Sequence, residues 1–203
     1  MFVRTIGLVL TGLAAVVAQP ERPSLRSNRP LLILLAARDF DYQEYRTVRD
    51  GLQRHQLGAV CVSTDSGVAR AANDSLVRPD IALAAVDPGQ FAGLAVVGGI
   101  GAARLWDDSL VLARVRSFAQ DSAQVIGAIG TGPIVLAKVG VLTGRRATVI
   151  GDPRAVRLLT GLGVRLVRAE VVTDGRFVTA NTAAAGARFV DALVARLNRG
   201  DRQ

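Results

Sequence analysis

The residues best placed for chemistry in this chain surround a turn that carries no reactive side chain. Val125-Ile126-Gly127-Ala128-Ile129 is a short apolar strand that runs into Gly130-Thr131-Gly132, with Pro133 next at what suits a first helical position. Strand, tight turn and helix in that order form the elbow that lifts a nucleophile above an α/β sheet. The apex residue is Gly130, which has no side chain. Two other stretches fit a site of the same kind. Gly98-Gly99-Ile100-Gly101 ends an apolar run and makes a tight strand-to-helix turn. It continues to Arg104 rather than a third glycine, which argues against a dinucleotide site. Glu44 closes Asp39-Phe40-Asp41-Tyr42-Gln43-Glu44, just after the first apolar strand, where α/β sheets place ligands. Its competing reading is a solvated helix residue beside Arg46 or Arg49.

The remaining reactive side chains read as structure. Cys61, the single cysteine, lies mid-strand in an apolar run and suits a small buried core residue. It excludes an intramolecular disulfide. His55, the single histidine, follows a helix and suits a surface position where its charge meets the helix dipole. One His and one Cys far apart give no metal-ligand spacing, so no metal and no cofactor is expected. Thr131 competes between a turn hydroxyl and a ligand contact. It is a poor substitute nucleophile, because the elbow aims residue 130 into the site and no base partner is visible. Trp106 reads as packing, and the pair Arg145-Arg146 as solvated charges at a strand end.

These residues are positioned by alternating elements. Leu31 to Ala36 is a continuous apolar run, hence a strand buried on both faces. Tyr42 to Gln53 suits a helix capped by Asp39 or Asp41. Ala59 to Ser63 is a second strand, and Asp65 to Asp80 has room for a short β-excursion. Leu94 to Val97 is a third buried strand. Ser109 to Gln120 suits a helix capped by Asp107 or Asp108. Beyond the elbow helix, Arg146 to Ile150 reads as a strand and Pro153 to Thr160 as a helix with Asp152 at its cap. Val164 to Thr173 and Arg176 to Ala180 flank Asp174-Gly175, a hairpin turn. Ala183 to Leu197 closes the chain as a helix. The pattern predicts a single-domain α/β fold, a flavodoxin-like three-layer sandwich with a mostly parallel sheet and helices on both faces.

The chain of 203 residues is 50% hydrophobic and 4% aromatic, enough for one sizeable core. Its formal net charge is +8, and Lys138 is its one lysine. The arginines are scattered, often beside Asp or Glu, and not interleaved with aromatics, so no nucleic-acid partner is expected. Arg4, the apolar run Ile6 to Val17 and the small residues Val16-Val17-Ala18 read as a signal peptide over 1–18, cut before Gln19. The run is short for a membrane span, so membrane contact is expected only through this segment if it is uncleaved. The reading is therefore an exported protein, periplasmic or secreted, with a Pro/Arg/Ser-rich leader over 19–30, a domain over 31–198 and a tail over 199–203.

Several segments together resemble the PfpI-type superfamily, whose class I glutamine-amidotransferase-like fold serves intracellular proteases, deglycases and isonitrile hydratases. The resemblance spans roughly residues 31–198. It rests on Glu44 in its segment, on Val97 to Gly101, on Ala128 to Pro133 and, most specifically, on Gly140-Val141-Leu142-Thr143-Gly144-Arg145-Arg146-Ala147-Thr148. Val172 to Ala180 with Ala184-Ala185-Gly186 resembles the isonitrile-hydratase branch and the related amidotransferase-like domains of some transcription regulators, where the elbow reads Cys-Thr-Gly; Thr131 and Gly132 match and Gly130 replaces the Cys. The resemblance implies that Glu44 is the acid/base carboxylate, that Gly130 marks the missing nucleophile, and that the N–H groups of Gly99 and Thr131 form the oxyanion-binding pair. It also implies a homodimer, since dimers are common in the family. Three functions are compatible with this: a non-covalent protein binding a small anionic or carbonyl ligand, a Cys-independent hydratase or lyase using Glu44, and a structural or interaction homodimer.

Overall fold

Continuous apolar runs become the middle of a sheet. The computed structural model describes residues 29–200, so the expected signal segment 1–18, leader residues 19–28 and residues 201–203 lie outside the described residues. In chain order the elements are β1 (Leu31–Leu35), β2 (Arg38–Phe40), α1 (Tyr42–Arg54), β3 (Ala59–Ser63), β4 (Ala69–Ala71), β5 (Leu76–Val77) and β6 (Ile81–Ala82). Then come β7 (Gly93–Val96), α2 (Ser109–Gln120), β8 (Val125–Ile129), α3 (Pro133–Lys138), β9 (Arg146–Ala147) and α4 (Pro153–Gly161). The chain closes with β10 (Arg165–Leu166), β11 (Val171–Asp174), β12 (Phe177–Ala180) and α5 (Gly186–Gly200). Every residue of β1, β7 and β8 is buried, as strands covered on both faces must be.

The main sheet has seven strands in the order β11-β12-β8-β7-β1-β3-β6. All its neighbours pair in parallel except the β11–β12 hairpin at one edge. From β1 the chain winds outward to β3 and β6, then returns to β7 on the other side of β1 and continues to β8 and β12. The winding direction thus reverses between β1 and β7, and ligands in such sheets bind at the strand ends beside that reversal. The α/β class and the mostly parallel sheet are as the sequence predicts.

Helices α1 and α5 pack together on one face, where missing side chains let backbones approach. A Cβ on Gly51 would stand 2.8 Å from Val190 Cγ2, and one on Gly127 of β8 would stand 2.7 Å from Leu193 Cδ2. Helices α2, α3 and α4 form the other layer. Asp41, Asp108 and Asp152 cap α1, α2 and α4, each accepting the N–H three residues on at 2.9–3.0 Å. Asp39, the alternative cap for α1, lies instead in β2 with φ 60° and faces Arg104 at 3.6 Å. The expected excursion exists as β4 and β5, paired with β2 in a small separate sheet.

Two expected strands are shorter than the sequence suggests. Arg146 to Ile150 yields only Arg146–Ala147, because the next backbone groups are taken elsewhere. The Thr148 N–H donates to Thr179 Oγ1 at 2.9 Å, and the Ile150 N–H donates to the Gly130 carbonyl at 3.2 Å. Val164 to Thr173 is split into β10, which pairs with β9, and β11, which pairs with β12. The chain must bend over 167–170 to change partners, and the Ala169 N–H closes that bend onto Val167. Among the described residues no helix is long and apolar enough to cross a membrane.

Candidate functional site

Three loops meet at the carboxyl ends of β1, β7 and β8. The first leads into α1, whose first turn carries Glu44; the second carries Gly98 to Gly101, and the third is the elbow Gly130-Thr131-Gly132. The elbow forms as expected: β8 ends at Ile129, Gly130 takes φ +64°, and α3 starts at Pro133. A positive φ of this size is strained for most residues and free for glycine. The Gly130 N–H donates to the Ala180 carbonyl at 3.0 Å while its own carbonyl accepts from Ile150, so the apex is fixed on both sides.

Glu44 turns into the space above that apex. It is 3% exposed, and its Oε2 accepts the Gly98 N–H at 2.8 Å. A Cβ built on Gly130 would lie 2.0 Å from Glu44 Oε1 and 2.7 Å from Cδ. The carboxyl group therefore occupies the volume into which a side chain at residue 130 would project. The reading of Glu44 as a solvated helix residue beside Arg46 or Arg49 does not hold: Arg46 and Arg49 pair with Asp50 on the exposed side of α1.

Local capping explains how Glu44 is free to do this. Asp41 at the cap and Glu44 three residues on have the spacing of a capping box, in which the glutamate reaches back to the cap N–H. Here the Asp41 N–H is already bonded to the Gly98 carbonyl at 3.1 Å. The Glu44 carboxyl leaves its own helix and takes the Gly98 N–H instead. The first loop and the glycine loop are thus joined by a reciprocal pair of bonds, one of them buried. Gly98 is the donor engaged by the acid, a pairing that sequence reasoning alone misses, since the capping-box spacing points Glu44 to the Asp41 N–H instead.

Burial dominates the electrostatics of this carboxyl. Burial first and the nearby Asp41 charge after it, opposed by the Gly98 N–H, together raise the Glu44 pKa from 4.5 to about 8. At neutral pH the neutral acid is the main form. That is a consistent arrangement, since an ionised carboxylate with one protein donor would be poorly compensated there.

Gly99 and Thr131 stand beside the pair. Gly99 has φ +101°, and a Cβ on it would meet Asp41 N at 2.4 Å, so only glycine fits against the first loop. Thr131 Oγ1 donates to the Gly99 carbonyl at 2.9 Å and ties the elbow to the glycine loop. Its hydroxyl thus serves a structural bond. Among the described residues none accepts from the Gly99 or Thr131 N–H. Gly98 Cα, Thr131 N and Glu44 Oε2 converge closely: a Cβ on Gly98 would lie 2.5 Å from the Thr131 nitrogen and 2.8 Å from Oε2.

The other reactive residues lie elsewhere. Cys61 is buried in β3, and burial, first among the causes, pushes its thiol up to about 12. A thiol so far from ionisation is a poor nucleophile. His55 is the C-cap of α1 and its Nε2 lies 2.7 Å from Asp191 Oδ1 of α5. Trp106 is buried in packing, with the Arg154 guanidinium over its ring at 5.5 Å. Among the described residues no group of three or more His, Cys, Asp or Glu could hold a metal ion.

A mostly parallel sheet wound in this order, with a glycine turn at the end of β8 and a buried acid leaning on it, defines a flavodoxin-like α/β protein. Residues 30–196 match the model of the DJ-1/PfpI family, and the chain belongs to that family. An uncharacterized protein of Methanocaldococcus jannaschii is 28% identical over 177 residues, which cover 87% of this chain and 86% of that protein. The ThiJ/PfpI domain protein of Brachyspira murdochii superposes with a TM-score of 0.80 at 23% identity, over 85% of this chain and 98% of its own. Drosophila melanogaster DJ-1beta superposes with a TM-score of 0.74 at 24% identity, over 86% of this chain and 96% of its own.

The raised pKa has a measurable consequence for stability. A carboxyl whose folded-state value lies above its ordinary 4.5 favours folding fully below that pH, and the benefit is lost as pH rises toward about 8. The slope in that window is at most about 1.4 kcal/mol per pH unit. Glu44→Gln keeps an acceptor for Gly98 and removes the titration. In urea denaturation at pH 5 and pH 9, wild type should lose stability relative to Glu44→Gln on going to the higher pH. A difference between the two proteins that stays constant with pH would show that Glu44 is not held neutral.

Proposed function

We propose that this protein is a DJ-1/PfpI-family member in which Gly130 stands where relatives carry the elbow cysteine, and that it binds a small carbonyl or carboxylate ligand without covalent chemistry. The observation that carries this reading is the Glu44 carboxyl lying in the volume of the absent residue-130 side chain, 2.0 Å from where its Cβ would be. A site arranged around a sulfur would leave that volume to the sulfur. The unengaged N–H groups of Gly99 and Thr131 offer donors to a carbonyl oxygen, and a neutral Glu44 does not repel an anion there.

The carboxyl value of about 8 favours a second reading, in which Glu44 moves a proton in a Cys-independent hydration or lyase reaction. Turnover lost in Glu44→Gln, with ligand binding kept, would select it.

Two measurements test the proposal. Titrating the ¹⁵N-labelled protein with glyoxylate should shift the amide signals of Gly98, Gly99 and Thr131 saturably. Shifts scattered over the surface, or none at these amides, would contradict the binding reading. Gly130→Cys, whose Cβ must push the Glu44 carboxyl aside, should place a thiol beside the two amides, so iodoacetamide should alkylate it faster than free cysteine at pH 7. Wild type, with only buried Cys61, should react slowly. A new thiol as sluggish as Cys61 would mean that residue 130 is not the nucleophile position.

A further inference from the structure

The opposite end of the sheet carries a second concentration of charge. A cleft of about 540 Å³ lies at the amino ends of β8 and β12, and Arg145, Arg176, Arg196 and Arg199 all line it. The length of β8 separates it from the elbow, about 16 Å at the usual rise per residue. No carboxylate lines the cleft; besides the arginines its walls are Ser122, Ala123, Val125, Gly175 and Phe177.

The four guanidinium groups differ in freedom. Arg176 is fixed: Nη1 donates to the carbonyls of Asp121 at 2.6 Å and Gln124 at 3.1 Å, and Nη2 donates to the Ala119 carbonyl. Arg145 is fixed as well, with Nη1 3.4 Å from Asp174 Oδ1 and Nε donating to the Val141 carbonyl at 3.2 Å. Both lie over the Phe177 ring, at 4.7 Å for Arg145 and 5.0 Å for Arg176. Asp174 is shared with Arg146, whose N–H it accepts at 2.9 Å, so its charge is divided. Arg196 and Arg199, three residues apart on α5, form no ion pair with any described residue. Burial, and the neighbouring Arg145 after it, hold the Arg176 guanidinium below its ordinary value. Cations gathered around one cavity repel each other unless an anion joins them.

We propose that this cleft is a binding site for a small, multiply charged phosphate-type oxyanion. Arg145 and Arg176 supply the fixed positive wall, and Arg196 and Arg199 supply open forks that match phosphate oxygens. The cleft volume is that of a small-molecule site, which favours a free phosphate compound over a polymer or a lipid surface.

Inorganic pyrophosphate, titrated calorimetrically into the full-length protein in 150 mM NaCl, tests this. Saturable one-to-one binding is expected, weakened at least tenfold in the double variant Arg196→Ala/Arg199→Ala. The exposed single change Arg199→Glu should weaken it by a similar factor, in case the double variant folds poorly. Arg116→Ala, which removes an exposed charge on α2, should leave the affinity within twofold. Phosphatidylglycerol vesicles and a single-stranded oligonucleotide serve as parallel arms. No saturable pyrophosphate binding, an equal loss in Arg116→Ala, or binding confined to vesicles or oligonucleotide would overturn the proposal.

Discussion

A carboxylic acid buried against a bare α-carbon is the constraint around which the site is organised. Glu44 has one protein donor, the Gly98 N–H, and almost no access to water. Ionised in that place it would be costly, so the surroundings select its neutral form. The carboxyl can sit there only because residue 130 has no Cβ, and residue 130 can hold φ +64° without strain for the same reason. One missing side chain thus serves both the backbone of the elbow and the position of the acid. Gly99 does something comparable in the neighbouring loop, where its φ of +101° and its close approach to Asp41 leave no space for a side chain.

The fold brings these groups together through topology. β1, β7 and β8 are adjacent and parallel, so the three loops that leave their carboxyl ends emerge side by side. The bonds Asp41 N–H to Gly98, Gly98 N–H to Glu44, and Thr131 hydroxyl to Gly99 then lace the loops into one unit. The reversal of winding between β1 and β7 falls between the first two of these loops, where this class of sheet places ligands. The family that the chain belongs to is defined over this same core, residues 30–196.

Much of the framework was legible in the sequence because it depends on local rules. The unbroken apolar runs Leu31–Leu35 and Val125–Ile129 announce strands covered on both faces, and Asp39 or Asp41, Asp107 or Asp108, and Asp152 announce helix starts; the fold selects Asp41 and Asp108. The elbow was legible from its glycines and from Pro133. What escaped depends on partners distant in the chain. Glu44 was legible as a site residue from its place after the first strand, but its partner, the Gly98 N–H that β7 delivers from 54 positions away, was not. Arg146 to Ile150 has the composition of a strand, yet its later amides are claimed by Thr179 and Gly130. Arg145 reads as a solvated charge at a strand end, whereas the fold stacks it on Phe177 and sets it beside Arg176, Arg196 and Arg199. His55, expected on the surface at a helix end, is there, and α5 adds Asp191 as its partner.

The protonation state of one carboxyl group tests this picture most directly. In protein labelled with ¹³C at glutamate Cδ, and with the Glu44 signal assigned by its loss in Glu44→Gln, a pH titration should show that resonance changing with a midpoint near 8. A midpoint near the ordinary 4.5 would mean that the acid is solvated and ionised, and that it does not rest in the space above Gly130.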